Sequence, residues 1–288
     1  MRKKRISKEM VFKTVYKKRS EIFVTFVLLI ILGVLLLPFW WCLILSFDKT
    51  AVTDLPDFSL LPHVFSLQNY EYAMDMIDLR RYFINTAFIA VVNTVISVFF
   101  ALMCGYAFAK GRFVGKKVCF FLMLAVMMIP FESRMVPLYL MYRSFGLLDT
   151  YYPLIVGSFA YVYGTFFARQ NIATIPDSLR ESAKIDGAGE WRIFRQIILP
   201  LCKPVASALA ILQVVAQWNS YLWPMVVIRS SEKQLISVGL AFFNAGQNAV
   251  YYGPRMVVVV LSALPLIVVY LFLQKYIVQS VALSGVKQ

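Results

Sequence analysis

Apolar and polar positions along this chain sort into long blocks, and six apolar runs set its frame. They cover residues 21–47, 82–109, 118–142, 151–169, 204–228 and 256–277. Each reaches the roughly 18 residues that take a helix across a hydrocarbon core. Backbone N–H and C=O groups in lipid must be satisfied inside their own segment, so runs of this length become helices. The pattern predicts an all-α polytopic membrane protein with six transmembrane helices. Pro130 and Pro137 interrupt the third run, where an unbroken helix would lose backbone bonds. Phe39-Trp40-Trp41, after Pro38 in the first run, has the composition of an interfacial aromatic belt.

The polar blocks between the runs differ in character. Residues 1–20 form a basic leader suited to an anionic membrane face. Residues 48–81 are acidic, with Asp48, Asp54, Asp57, Glu71, Asp75 and Asp78, and they hold the single histidine, His63, expected to be solvated. Residues 177–200, DSLRESAKIDGAGEWRIFRQIILP, are net neutral, with four carboxylates and four cations. Leu179 and Ala183, then Trp191, Phe194 and Ile198, recur there at helical spacing. Gly187 punctuates the middle and Pro200 is expected to end the pattern. This predicts two short amphipathic helices outside the bilayer, either resting on lipid or docking another protein. Ser178-x-x-Glu181 is a capping-box signature at its start.

Composition supports the class. The chain has 288 residues, 60% of them hydrophobic and 15% charged, with mean hydropathy +0.70. Its net charge of +14 would suit nucleic acid as a partner if the cations formed one patch. They sort by topology instead. With the N-terminus inside, the inner segments 1–21, 110–117, 169–203 and 275–288 hold nine, four, six and two, which is 21 of the 29 Lys and Arg. That bias places both termini, and residues 177–200, in the cytoplasm. Cys42, Cys104, Cys119 and Cys202 sit singly in or beside apolar segments and read as small core residues. No metal site is expected. The chain lacks G-x-x-x-x-G-K-[ST], H-E-x-x-H and G-x-S-x-G, so a nucleotide loop and the usual hydrolytic sets are missing and no catalytic residue is assigned.

The spacing within 177–200 carries a resemblance. Glu181-Ser182-Ala183, Gly187, Ile197 and Leu199-Pro200 fit the EAA loop of importer-type ABC transporter permeases, with Ser182 where that family usually has Ala. The similarity runs over about residues 30–288 through Asn69-Tyr70, Tyr106-Ala107-Phe108-Ala109, Met128-Ile129-Pro130, Trp218-Asn219 and Leu222-Trp223-Pro224. It resembles the smaller permease of carbohydrate importers. The resemblance implies the type I importer permease fold, with a core domain at 82–288 behind the first span and the extracytoplasmic segment 48–81. It implies a second homologous permease subunit, two ATPase subunits that bind the ATP and magnesium, and an extracytoplasmic solute-binding protein. Localisation would be a bacterial-type inner or plasma membrane. Glu181, Ser182, Ala183, Asp186, Gly187, Trp191, Phe194, Leu199 and Pro200 would engage the ATPase. In the loop 229–255, Asn244, Gly246 and Gln247 would reach toward the binding protein.

Polar residues inside the spans are the candidates for a substrate pathway. Glu132 and Arg134 lie between Pro130 and Pro137, and charges at that depth need a partner or a water-filled cavity. They either face the substrate or pair with other residues and hold the bend. Gln213, Gln217 and Tyr221, at successive i,i+4 positions, share a helix face beside Trp218 and Asn219. Amides and aromatics of this kind suit sugar hydroxyls and pyranose faces, or else interhelical hydrogen bonds. The reading is a permease half for a sugar or oligosaccharide; glycerol phosphate is the alternative inside the same class. An ion-coupled carrier is disfavoured because Glu132 is its sole intramembrane carboxylate.

Overall fold

The computed structural model describes the backbone of residues 2–243 and 250–285, with side chains described between 21 and 272. Two compact units divide the chain: residues 1–73 with 250–260, and residues 74–249 with 261–288. Asn244, Gly246 and Gln247 lie outside the described residues.

In the first unit, α1 (Arg2–Phe47) is one continuous helix that carries the basic leader into the first span without a break. The leader is therefore part of the same helix as the first span. Behind it, residues 48–66 fold onto the end of the helix around Asp48, whose side chain is 1% exposed. Its carboxylate accepts from Thr50 N (3.0 Å), Thr50 Oγ1 (2.7 Å), His63 N (2.7 Å) and His63 Nδ1 (2.9 Å). Burial pushes this carboxyl upward, but those donors outweigh it and bring its pKa from 3.8 to about 2. Buried Asn69 in α2 (Gln68–Met76) donates to the carbonyls of Leu45 (3.1 Å) and Asp48 (2.8 Å). A Cβ at Gly253 would stand 2.4 Å from that amide, so the close approach there requires glycine.

In the second unit, α3 (Leu79–Lys110) runs 32 residues without interruption and packs most closely on α7 (Val162–Ala173). Small residues permit it: a Cβ on Gly105 would stand 2.7 Å from Ala168 Cβ and 2.9 Å from Arg169 N. The other spans expected here are broken. The third becomes α4 (Lys116–Val126) and α5 (Phe131–Ser144), bent by 97° at residues 127–130. Pro130 makes that break, whereas Pro137 is carried inside α5. The fourth becomes α6 (Tyr152–Val156), a 3₁₀ turn at Gly157–Ala160, and α7. The fifth is α11 (Lys203–Trp218), then an interruption at 219–221 and α12 (Leu222–Val227). After α13 (Ile236–Phe242) the last described element is α14 (Tyr252–Gly285), whose residues 252–260 belong to the first unit. Among the described residues three helices are long and apolar enough to cross a membrane, or five when each of two bent pairs counts as one span.

Candidate functional site

The hairpin at 177–200 is built as α8 (Ser178–Ile185), a turn through Gly187 in the left-handed region (φ 76°), and α9 (Glu190–Ile193). α9 widens into one π-helical turn at Phe194–Ile198 and continues as α10 (Leu199–Leu201). Pro200 therefore does not end the helix. A proline clashes with the carbonyl four residues back, and the widened turn before it relieves that clash. The direction changes two residues later, where the helix ending at Leu201 meets α11 at 78°. The capping box is also absent. Asp177 holds the N-cap position with no side-chain cap bond, and it pairs with Lys110 Nζ at 2.8 Å.

Charge fastens this hairpin to α3. Glu190 Oε1 accepts from Arg180 Nη2 (2.6 Å) and pairs with Lys184 Nζ (2.6 Å), and Oε2 accepts from Tyr106 Oη (2.5 Å). The Arg180 guanidinium is the main reason this carboxyl, on the hairpin outside the spans, falls from 4.5 to about 2. Partial burial opposes that shift, while Lys184 and Tyr106 reinforce it.

The apolar residues of the hairpin divide in two. Phe194, Ile193 and Ile198 are buried with Leu102, Tyr106, Ala168 and Leu209, and Ala183 and Ala188 pack against them. Phe194, 2% exposed, is thus committed to the chain's own core and cannot enter a partner's groove as the sequence suggested. Trp191 (58%) and Ile185 (86%) stand in the open. Glu181, Ser182, Asp186, Gly187 and Pro200 are exposed as well, while Leu199 is half-buried. Ser182 Oγ donates back to Ser178 O at 2.9 Å.

Farther along α3 lies a cleft of 610 Å³ between α3, α5, α6, α11 and α12. Its polar and aromatic lining includes Ser97, Gln213, Gln217, Asn219, Tyr221 and Trp223, with Gly157 and Ser158 from the broken fourth span. The amides also bind one another across the helices. Gln213 Nε2 donates to Ser97 Oγ (3.0 Å), Ser97 Oγ to Ser158 O (2.9 Å), and Asn93 Nδ2 to Gln217 Oε1 (2.8 Å) and Leu154 O (3.0 Å). These amides therefore pack the helices against one another and also border the cleft.

Trp218 departs from the expected cluster. It is buried and donates to Ser262 O at 3.0 Å, facing a separate cavity of 490 Å³ that Asn219 and Tyr221 also border. Neither Glu132 nor Arg134 forms an ion pair among the described residues. Glu132 is exposed, while Arg134 lies 5.9 Å from the Phe131 ring with its Nε buried and unbonded among the described residues. Neither lines the cleft; Phe131, at the break before them, does.

One cluster escaped the sequence reading. Asp149 adopts φ 58°, and its carboxylate accepts from Arg229 N (3.0 Å), Ser230 N (2.9 Å) and the Ser230 hydroxyl, and pairs with Lys233 at 3.3 Å. Those donors, the Ser230 hydroxyl first, hold the carboxyl well below the usual carboxylate range. An Asp after Gly-Leu-Leu, in a tight turn, was the available signal.

Comparison with known proteins decides what this arrangement belongs to. Residues 97–283 match the family described as binding-protein-dependent transport system inner membrane component. The chain belongs to this family. The permease is 34% identical over 229 residues to the arabinooligosaccharides transport system permease protein AraQ of Bacillus subtilis, covering 78% of this chain and 80% of that one. It is 31% identical over 252 residues to the diacetylchitobiose uptake system permease protein NgcG of Streptomyces coelicolor, covering 86% and 83%. Its structure superposes on a chain of a bacterial ABC transporter that imports the acidic polysaccharide alginate, with TM-score 0.77, 28% identity and coverage of 89% and 96%. The permease is therefore an inner-membrane transport subunit working with ATPase and solute-binding partners, and it is not itself an enzyme.

Proposed function

We propose that this permease forms half of the translocation pathway of a sugar or oligosaccharide importer, and that the 177–200 hairpin couples the pathway to the ATPase. The carrying observation is the pairing of a cleft lined by amides and aromatics with a hairpin that leaves Trp191, Ile185 and the Gly187 turn free. Amide groups offer sugar hydroxyls both donors and an acceptor, and Tyr221 and Trp223 offer flat faces for a pyranose. A second permease subunit supplies the other half of the pathway. ATP and magnesium bind the ATPase, and nucleotide-driven closure displaces the hairpin, which lies on the cytoplasmic side. Relatives named for arabinooligosaccharides and diacetylchitobiose and a structural neighbour named for the acidic polysaccharide alginate support a saccharide cargo in common.

The turn gives the first test. Gly187 sits at φ 76° with nothing within 4 Å of a built Cβ, so Gly187→Val strains the backbone by about 1–2 kcal/mol without a clash. The variant should insert into the membrane normally and lose co-purification with the ATPase. Undiminished ATPase binding and transport would remove the hairpin from the coupling role. The ligand of the solute-binding protein that co-purifies with the complex, found by thermal shift over a saccharide panel, identifies the cargo.

A further inference from the structure

α3 is unbroken in a unit where the third, fourth and fifth spans are broken, and it binds the hairpin and the fourth and fifth spans through polar groups. At the hairpin end, Tyr106 donates to Glu190, and Lys110 donates to Ile175 O (2.6 Å) and pairs with Asp177. At mid-length, Ser97 and Asn93 bind the fourth and fifth spans at the cleft. At the far end, Asn85 Nδ2 donates to Glu232 O (2.9 Å) and Gln234 O (3.0 Å), and Thr86 Oγ1 accepts from Ile236 N (2.9 Å). With about 1.5 Å of rise per residue, Tyr106 lies some 14 Å along the helix from Ser97 and about 32 Å from Asn85. A rigid element fastened at three depths carries a displacement from one end to the other, provided that its fastening at the driven end resists shear.

Glu190 provides that fastening. One carboxylate joins α8, through Arg180 and Lys184, to α9 on which it sits, and both to α3 through Tyr106. Hydrogen bonds to an ionised group are about twice as strong as neutral ones and are directional. The apolar contacts beside it, Phe194 on Phe99 and Tyr106 at 6.3 and 5.7 Å between ring centroids, lack that directionality. The Lys110–Asp177 pair also ties the hairpin to α3, but only at its start and through a carboxylate 64% exposed; Glu190 is the charged fastening that joins both hairpin helices to α3.

We infer that Tyr106 and Glu190 are the positioning pair through which movement of the coupling hairpin is passed to α3 and so to the cleft. The inference rests on the reading of 177–200 as the ATPase contact. It assigns the pair to transmission, distinct from ATPase docking and from cargo binding.

The test uses the complete transporter in lipid nanodiscs. The four native cysteines are replaced by serine, and Gly157→Cys serves as a cleft reporter read with a water-soluble methanethiosulfonate. In the parent its labelling rate should change at least about fivefold between the nucleotide-free and ATP–vanadate states, the low end of ordinary allosteric coupling. Tyr106→Phe removes one oxygen, and Glu190→Gln keeps the shape while discharging the hub. Each should reduce that change to less than about twofold while ATPase co-purification and ATP hydrolysis persist. The double variant should be no worse than either single one, as for residues acting as a unit. A full labelling change in both variants, or additive effects, would overturn the pair's role and leave the hairpin and cleft assignments standing. Loss of ATPase co-purification in Tyr106→Phe would also overturn it, by making the pair part of docking. A parent whose reporter never responds to nucleotide would bring down the cleft assignment and the inference together.

Discussion

At the scale of single residues, neighbours with the same sequence signature hold opposite positions. Trp191 and Phe194 are three apart on one helix, and helical periodicity assigns them one face. Their separation comes from α3, where Tyr106 and Leu102 cover Phe194 and leave Trp191 bare. Phe194→Ala should therefore cost about 3–5 kcal/mol of stability, seen as a lower unfolding temperature in detergent. Trp191→Ala should leave that temperature nearly unchanged and weaken ATPase binding in a titration. Asp48 makes a pH prediction at the same scale. Its pKa in the folded chain, about 2, lies below the ordinary 3.8, so its contribution is complete above that ordinary value and is lost as pH falls toward 2. A shift of nearly two units corresponds to about 2 kcal/mol. Hydrogen exchange at the His63 and Val64 amides should accelerate over that window, and Asp48→Asn should produce the same acceleration at neutral pH.

At the scale of elements, composition and spacing made the apolar runs, the hairpin and its glycine turn legible, because burial in lipid and a left-handed turn each demand particular residue types. The breaks were less legible, since a proline changes a helix according to what surrounds it. Pro130 breaks its span, Pro137 is tolerated about two turns later inside α5, and Pro200 is absorbed by a π-helical turn. The interruption at Gly157–Ala160 had no proline to announce it, and the Glu190 and Asp149 hubs join residues far apart in sequence. Of the cleft, Gln213 and Gln217 were visible as a helical period, whereas Tyr221 borders it from the interruption after α11, off the predicted helix face, and the partners Ser97, Asn93 and Ser158 required the fold. Two glycines separate packing from open space. Gly105 faces Ala168 and backbone, so Gly105→Ala should overpack the α3–α7 contact by about 1–3 kcal/mol. Gly157, in an ordinary helical conformation (φ −61°) with nothing within 4 Å of a built Cβ, should accept alanine with no loss of unfolding temperature.

At the scale of the whole molecule, orientation in the membrane follows from charge. Lys and Arg near span ends are retained on the cytoplasmic side, and 21 of the 29 fall in segments that share one side when six spans are counted. Helix length alone yields three to five crossings among the described residues, because bent pairs and the interrupted fourth span fail a test for straight helices. The two counts give different topologies. If 118–142 and 151–169 each cross despite their breaks, Ser182 lies on the side of the N-terminus and Ser59 on the other. If either broken segment enters and leaves by the same face, that relation inverts. Single cysteines at Ser182 and Ser59, in a background where the four native cysteines are serine, separate the cases with a membrane-impermeant maleimide. In right-side-out vesicles Ser59→Cys should label at once, and Ser182→Cys only after permeabilisation. Labelling of both from outside would place the hairpin away from nucleotide and overturn the assignment of 177–200 to an ATPase contact.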